Sequence, residues 1–172
     1  MNTEIKTQDN EGVDGKYSFQ KTVKETEKTI LTACKAMKTS PPATAIIADE
    51  VGIGFTLIPQ VDGMSNNEVM TKLGTAMAHG GKKVKAVGVV CEAYVSKRTD
   101  IAPSKDPKAK EVVFMAFEDE TGAKEMRVYT GAKGKLKRMK GMDNGNFTGL
   151  VDSFWTGYKT PQVNASVTPT MC

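Results

Sequence analysis

KVKAVGVVCEAYVSKRTDIAPSKDPKAKEVVFMAFEDETGAKEMRVYTG, residues 83–131, decides how this 172-residue chain folds. Between Val84 and Cys91 apolar side chains fall on both alternating faces, the pattern of a central strand covered on two sides. EVVFMAFED, residues 111–119, has the same character. KEMRVYTG alternates more weakly after DETG, residues 119–122, which reads as a hairpin turn. Strands this close together pair antiparallel, because a parallel pair needs a crossover that these connections are too short to build.

Upstream, SNNEVMTKLGTAMAHGG, residues 65–81, opens on a capping box: Ser65 and Glu68 can each satisfy the other's backbone N–H. Val69, Met70, Leu73 and Met77 form the apolar stripe, and Gly80 and Gly81 close a helix over 66–79. Earlier still, Phe19, Val23, Ile30, Leu31, Cys34 and Met37 recur at helical spacing and predict an amphipathic helix over 19–38, stopped by Pro41 and Pro42. ATAIIADE and VGIGFTLI, residues 43–58, read as two short strands, or as a strand followed by a buried irregular segment, with Gly52 and Gly54 weakening the ladder.

Downstream, GKLKRMKG, residues 134–141, alternates weakly enough to belong at a sheet edge. NFTGLVDSFWTGYKT, residues 146–160, holds Phe147, Leu150, Val151, Phe154, Trp155 and Tyr158, enough apolar area to dock as a short helix or strand. The expected fold is α+β: an antiparallel β-meander of four to six strands with two or more helices packed on one face, the two leading helices covering that face together. A single domain over 17–159 is expected between a flexible N-terminal segment, residues 1–16, and a flexible tail, residues 160–172.

Composition narrows the function. The chain is 39% hydrophobic and 26% charged, as globular domains are, and lacks a run of about 18 apolar residues that could span a membrane. MNTEIKTQDNEG carries acids and amides where a signal peptide carries an apolar core, so the cytoplasm is the expected compartment. Cys34, Cys91 and Cys172 are odd in number and far apart, which argues against a disulfide framework. With His79 the only histidine and no Cys/His cluster, no metal is expected. His79 sits before two glycines, where a histidine caps carbonyls rather than acting as a catalytic base. No GxGxxG or GxxxxGK[ST] series follows a strand, so no nucleotide cofactor is expected.

Three groups remain as candidate sites. Glu92 and Tyr94 share a strand face, and a buried acid beside a tyrosine would be an acidic pocket tuned for proton transfer; the alternative is that Glu92 marks where the strand meets solvent. Ser104, Asp106 and Lys110 lie in the long loop between the two central strands, as a loop site or as side chains bonded to nearby backbone. Between residues 81 and 140 there are 15 Lys or Arg against 8 Asp or Glu. Lys133, Lys135, Lys137, Arg138 and Lys140 form the densest run, which on one strand face would neutralise the phosphates of a nucleic acid or another polyanion. On a solvated edge the same lysines would block unwanted strand pairing.

VVCEAYVSK, residues 89–97, followed by APSKDPKAKEVVFMAFED, residues 102–119, resembles a group of small prokaryotic and phage-associated proteins. In these, a strand ending in Glu, an aromatic and a hydrophobic residue leads into a Pro-Ser-x-x-Pro-like loop and a strand containing Glu-Val. The matching residues here are Glu92, Tyr94, Val95, Pro103, Ser104, Asp106, Pro107, Glu111 and Val112, with the basic Lys110 before Glu111. The resemblance covers residues 66–120 and implies a helix with an antiparallel sheet, and no defined activity. The leading expectation is a non-enzymatic interaction or accessory protein, of viral or mobile-element origin, that associates with itself or with a protein partner. The alternatives are a polyanion-binding module using the basic run and a small hydrolase-like enzyme using acidic residues.

Overall fold

A computed structural model describes residues 17–132, 134–141 and 149–160. The elements run α1 (Phe19–Met37), β1 (Thr44–Ala48), β2 (Ile53–Leu57), α2 (Asn66–His79), β3 (Ala86–Val95), β4 (Lys110–Asp119), β5 (Lys124–Thr130), β6 (Lys137–Arg138) and α3 (Leu150–Lys159). The expected flexible segment 1–16 and, beyond Thr160, the expected tail lie outside the described residues.

The fold is α+β, with a six-stranded sheet in the order β2-β1-β3-β4-β5-β6. Each neighbouring pair is antiparallel. β3 to β6 form the meander. The β1–β2 hairpin adds to its side through β1, and the chain returns from β2 to β3 by way of α2. The turn read in DETG is present: Asp119 Oδ1 accepts from the backbone N–H groups of Thr121 and Ala123 at 2.9 and 3.0 Å, and Gly122 takes the positive φ of 87° that closes the hairpin.

The helices do not share one face. α2 and α3 cover one side, where Met70, Val151, Phe154 and Trp155 pack on Ala45, Val87, Val89 and Ala116. α1 covers the other, its Val23, Ile30 and Cys34 meeting Ile46, Val90, Val113, Met115 and Phe117. The expectation that α1 and α2 lie together on one face is therefore corrected; α3 is the companion of α2. The reason is the two-sided apolar pattern of β3 and β4: a one-sided arrangement would leave Val90, Val113, Met115 and Phe117 in water, at about 1.5–3 kcal/mol for each large side chain.

Helix ends follow local chemistry. Ser65 N–H donates to Glu68 Oε2 at 2.7 Å and Glu68 N–H to Ser65 Oγ at 3.3 Å, completing the capping box of α2. α1 ends at Lys38, which takes the left-handed conformation ahead of the two prolines. α3 is fixed by its aromatic side chains. The Tyr158 hydroxyl donates to Lys82 O at 2.6 Å and accepts from Val84 N–H at 3.1 Å, tying the helix to the entry of β3.

α2 and α3 meet backbone to backbone. A Cβ at Gly74 would lie 2.1 Å from Phe154 O, and one at Gly157 would lie 1.9 Å from Thr71 O. Thr75 Oγ1 donates across the contact to Gly157 O at 3.2 Å.

Candidate functional site

The three candidate groups read from the sequence fall in separate places. Glu92 is exposed and Tyr94 is 52% exposed, near the end of β3 that extends past β1. The burial on which the acidic pocket depended is missing, and Glu92 is where the strand meets solvent.

In the β3–β4 loop, Asp106 is the organising residue. It is buried, accepts from the Ser96 hydroxyl, and accepts from Lys108 N–H at 2.9 Å. The Ser96 hydroxyl and that N–H hold its carboxyl below the usual carboxylate range. Ser104 is exposed in the short turn Pro103–Lys105, and Lys110 is exposed at the start of β4. The acid shapes the loop by bonding to it, and Ser104 and Lys110 make no group with it.

The basic run forms a rim rather than a face. Among the described residues of the run only Lys137 and Arg138 belong to a strand, and as consecutive strand residues they point to opposite sides of the sheet. Lys135 and Lys140 are exposed beside them, and Lys133 lies outside the described residues. Gly131 at φ 142° and Gly134 at φ 77° turn the chain ahead of β6. A Cβ on Gly134 would strike Cys34 O at 2.1 Å, so that turn is pressed against α1.

Burial, and then the charge of Glu92, pushes the Cys91 thiol up to about 11, and burial raises Cys34 as well, so neither is a ready thiolate. His79 is exposed at the last position of α2. Among the described residues no group of His, Cys, Asp and Glu has metal-ligand spacing. No helix among them is long and apolar enough to cross a membrane.

The buried charges form a structural cluster that linear spacing hides. Arg127 on β5 pairs with Glu125 on the same strand and with Glu27 on α1, and the Tyr129 hydroxyl donates to Glu27. Burial alone would favour a neutral guanidine, but the flanking carboxylates of Glu125 and Glu27 outweigh it and raise its pKa further. This cluster fixes α1 on the sheet.

The feature that faces outward is the β2 edge. Ile58 N–H donates to Ala43 O at 2.9 Å and Asp49 N–H to Gly52 O at 3.0 Å, both in the same register as β1–β2. Antiparallel alternation then directs the backbone groups of Gly52, Gly54, Thr56 and Ile58 inward to β1. The N–H and C=O groups of Ile53, Phe55 and Leu57 point away from the sheet, and among the described residues no strand pairs with them.

Apolar hollows flank this edge on both faces. On the α2 side the strand contributes Gly52, Gly54 and Thr56, and the missing side chains of the two glycines open a hollow of about 450 Å³ lined by Ile47, Leu73, Met77 and Val84. On the α1 side a hollow of about 250 Å³ lies among Ile30, Ala33, Met37, Phe55 and Leu57. Phe55 is 44%, Met37 59% and Leu57 63% exposed, an apolar patch around unpaired backbone. Sequence reasoning missed this site, although its signal was present: VGIGFTLIPQV, residues 51–61, carries no charge, and its Gly-x-Gly spacing puts both glycines on one face.

No family model, no curated protein and no solved structure matches the chain.

Proposed function

We propose that the protein is a non-enzymatic interaction module that receives a strand from a partner at β2. One observation carries the reading: Ile53, Phe55 and Leu57 aim their backbone hydrogen-bonding groups outward between two apolar hollows. Strand addition draws affinity from main-chain hydrogen bonds and specificity from pockets that take alternate side chains, and β2 supplies both. Natural sheets guard their edges with lysines, prolines or bulges. The β6 edge has Lys137 and Arg138, whereas β2 has no charged residue.

The test is site-specific photo-crosslinking in the native host cell. A photoreactive amino acid replacing Leu57 in the full chain is expected to give a discrete covalent protein adduct, and the same group replacing Lys137 on the guarded edge to give none. No adduct from position 57, or the same adducts from both positions, would overturn the reading.

A further inference from the structure

We infer that the strand received at β2 is the β2 strand of a second copy of this chain; the inference rests on the strand-addition reading and names its partner. The outward-bonding residues form the apolar series Ile53, Phe55, Leu57. Paired antiparallel with itself about a two-fold axis at Phe55, the strand sets Phe55 against Phe55 of the second copy and Ile53 against Leu57. Every outward N–H and C=O in the series then finds a partner, and each opposed pair is apolar.

The three side chains lie in register with Ala48, Ile46 and Thr44 of β1, and Ile46 belongs to the α1 side of the core. The pairing therefore brings the two α1-side hollows together across the axis. The interface is isologous and closed, and it stops at two copies.

Charge favours the same pairing. Residues 51–61 carry no charge, so the closest approach opposes no like charges. α1 runs alongside β2: Tyr17, Ser18 and Lys21 at its start lie by Asp49, Glu50 and Gly52, and Met37 at its end lies by Leu57. Antiparallel pairing consequently turns the Asp49 and Glu50 end of one copy toward the end of the other that carries Lys35 and Lys38, both exposed. Glu50 pairs with Lys85 of its own copy at 3.7 Å and Lys21 lies beside it, so that end is charge-balanced. Antiparallel pairing keeps the Lys35 and Lys38 ends of the two copies apart.

The test uses the position that meets itself. Sedimentation velocity of the full chain over a micromolar dilution series is expected to show a monomer–dimer equilibrium. Phe55→Lys and Phe55→Glu, each opposing like charges at the axis, should weaken it by about 100-fold. An equimolar mixture of the two variants should recover a heterodimer. Position 55 is partly exposed, and unchanged circular dichroism of each variant separates loss of pairing from loss of fold. A wild-type chain that stays monomeric, a Phe55→Lys chain that still dimerises, or a mixture no tighter than its components would overturn the inference. The Leu57 crosslink separates the two levels. An adduct at twice the chain mass supports the second copy, an adduct of any other mass removes it while leaving strand addition standing, and no adduct removes both.

Discussion

Gly157→Ala lowers stability by about 3 kcal/mol, a fall in Tm of about 6–12 °C for a domain of this size. The sign is the opposite of helix propensity, on which alanine gains up to about 1 kcal/mol over glycine in a helix interior. Here the added Cβ would lie 1.9 Å from the backbone carbonyl oxygen of Thr71 and 3.0 Å from Thr75 Oγ1. A backbone atom cannot rotate away as a flexible side chain can, so α2 and α3 must separate, loosening Phe154 and Trp155 from the core and stretching the Thr75 to Gly157 hydrogen bond. Gly74→Ala, facing Phe154 O at 2.1 Å, is expected to behave alike. Thermal unfolding followed by circular dichroism measures both; an unchanged or raised Tm would show that the helices do not touch through their backbones.

Arg127→Met is the second large effect, a loss of about 3–5 kcal/mol. The guanidinium is only 7% exposed and lies between Glu27 and Glu125, so its removal leaves two acids facing each other with no cation between them. The Tyr129 hydroxyl donates to the same Glu27, so the loss reaches the contact between α1 and β5. The companion variant that changes Arg127, Glu27 and Glu125 together to Met is expected to recover most of the loss, because it removes the charges instead of stranding them. Urea unfolding at constant m-value reads both. A triple variant no more stable than Arg127→Met would mean that the cluster stabilises through hydrogen-bond geometry rather than charge balance.

How much of this was legible depended on the range of the signal. α2 could be read to its ends because a capping box and a Gly-Gly stop are local. The 119–122 turn was legible for the same reason, its Asp119 bonding within four residues. The two-sided apolar pattern of residues 84–91 already required cover on both faces, and placing both leading helices on one side neglected it. The segment 146–160 showed apolar area without a settled period, and only docking against Gly74 makes α3 the second helix of its layer.

The edge position of the basic run is legible in its weak alternation, whereas a single basic face is not formed, because the consecutive strand residues Lys137 and Arg138 lie on opposite sides of the sheet. Leu136 within that run packs on the α1 side of the core, and two positive-φ glycines precede β6. Glu27 and Arg127 are 100 positions apart and no periodicity connects them. The β2 edge was hidden for a related reason. Which strand is left open depends on β3 pairing with β1 rather than β2, a contact between segments far apart in the chain.

Amide hydrogen exchange along β2, measured at low and high protein concentration, tests the central claim most directly. The amides of Gly54 and Thr56, bonded to β1, should be protected at both concentrations, while those of Ile53, Phe55 and Leu57 should exchange freely when dilute and gain protection as concentration rises. Free exchange of the three outward amides at every concentration would contradict pairing with a second copy.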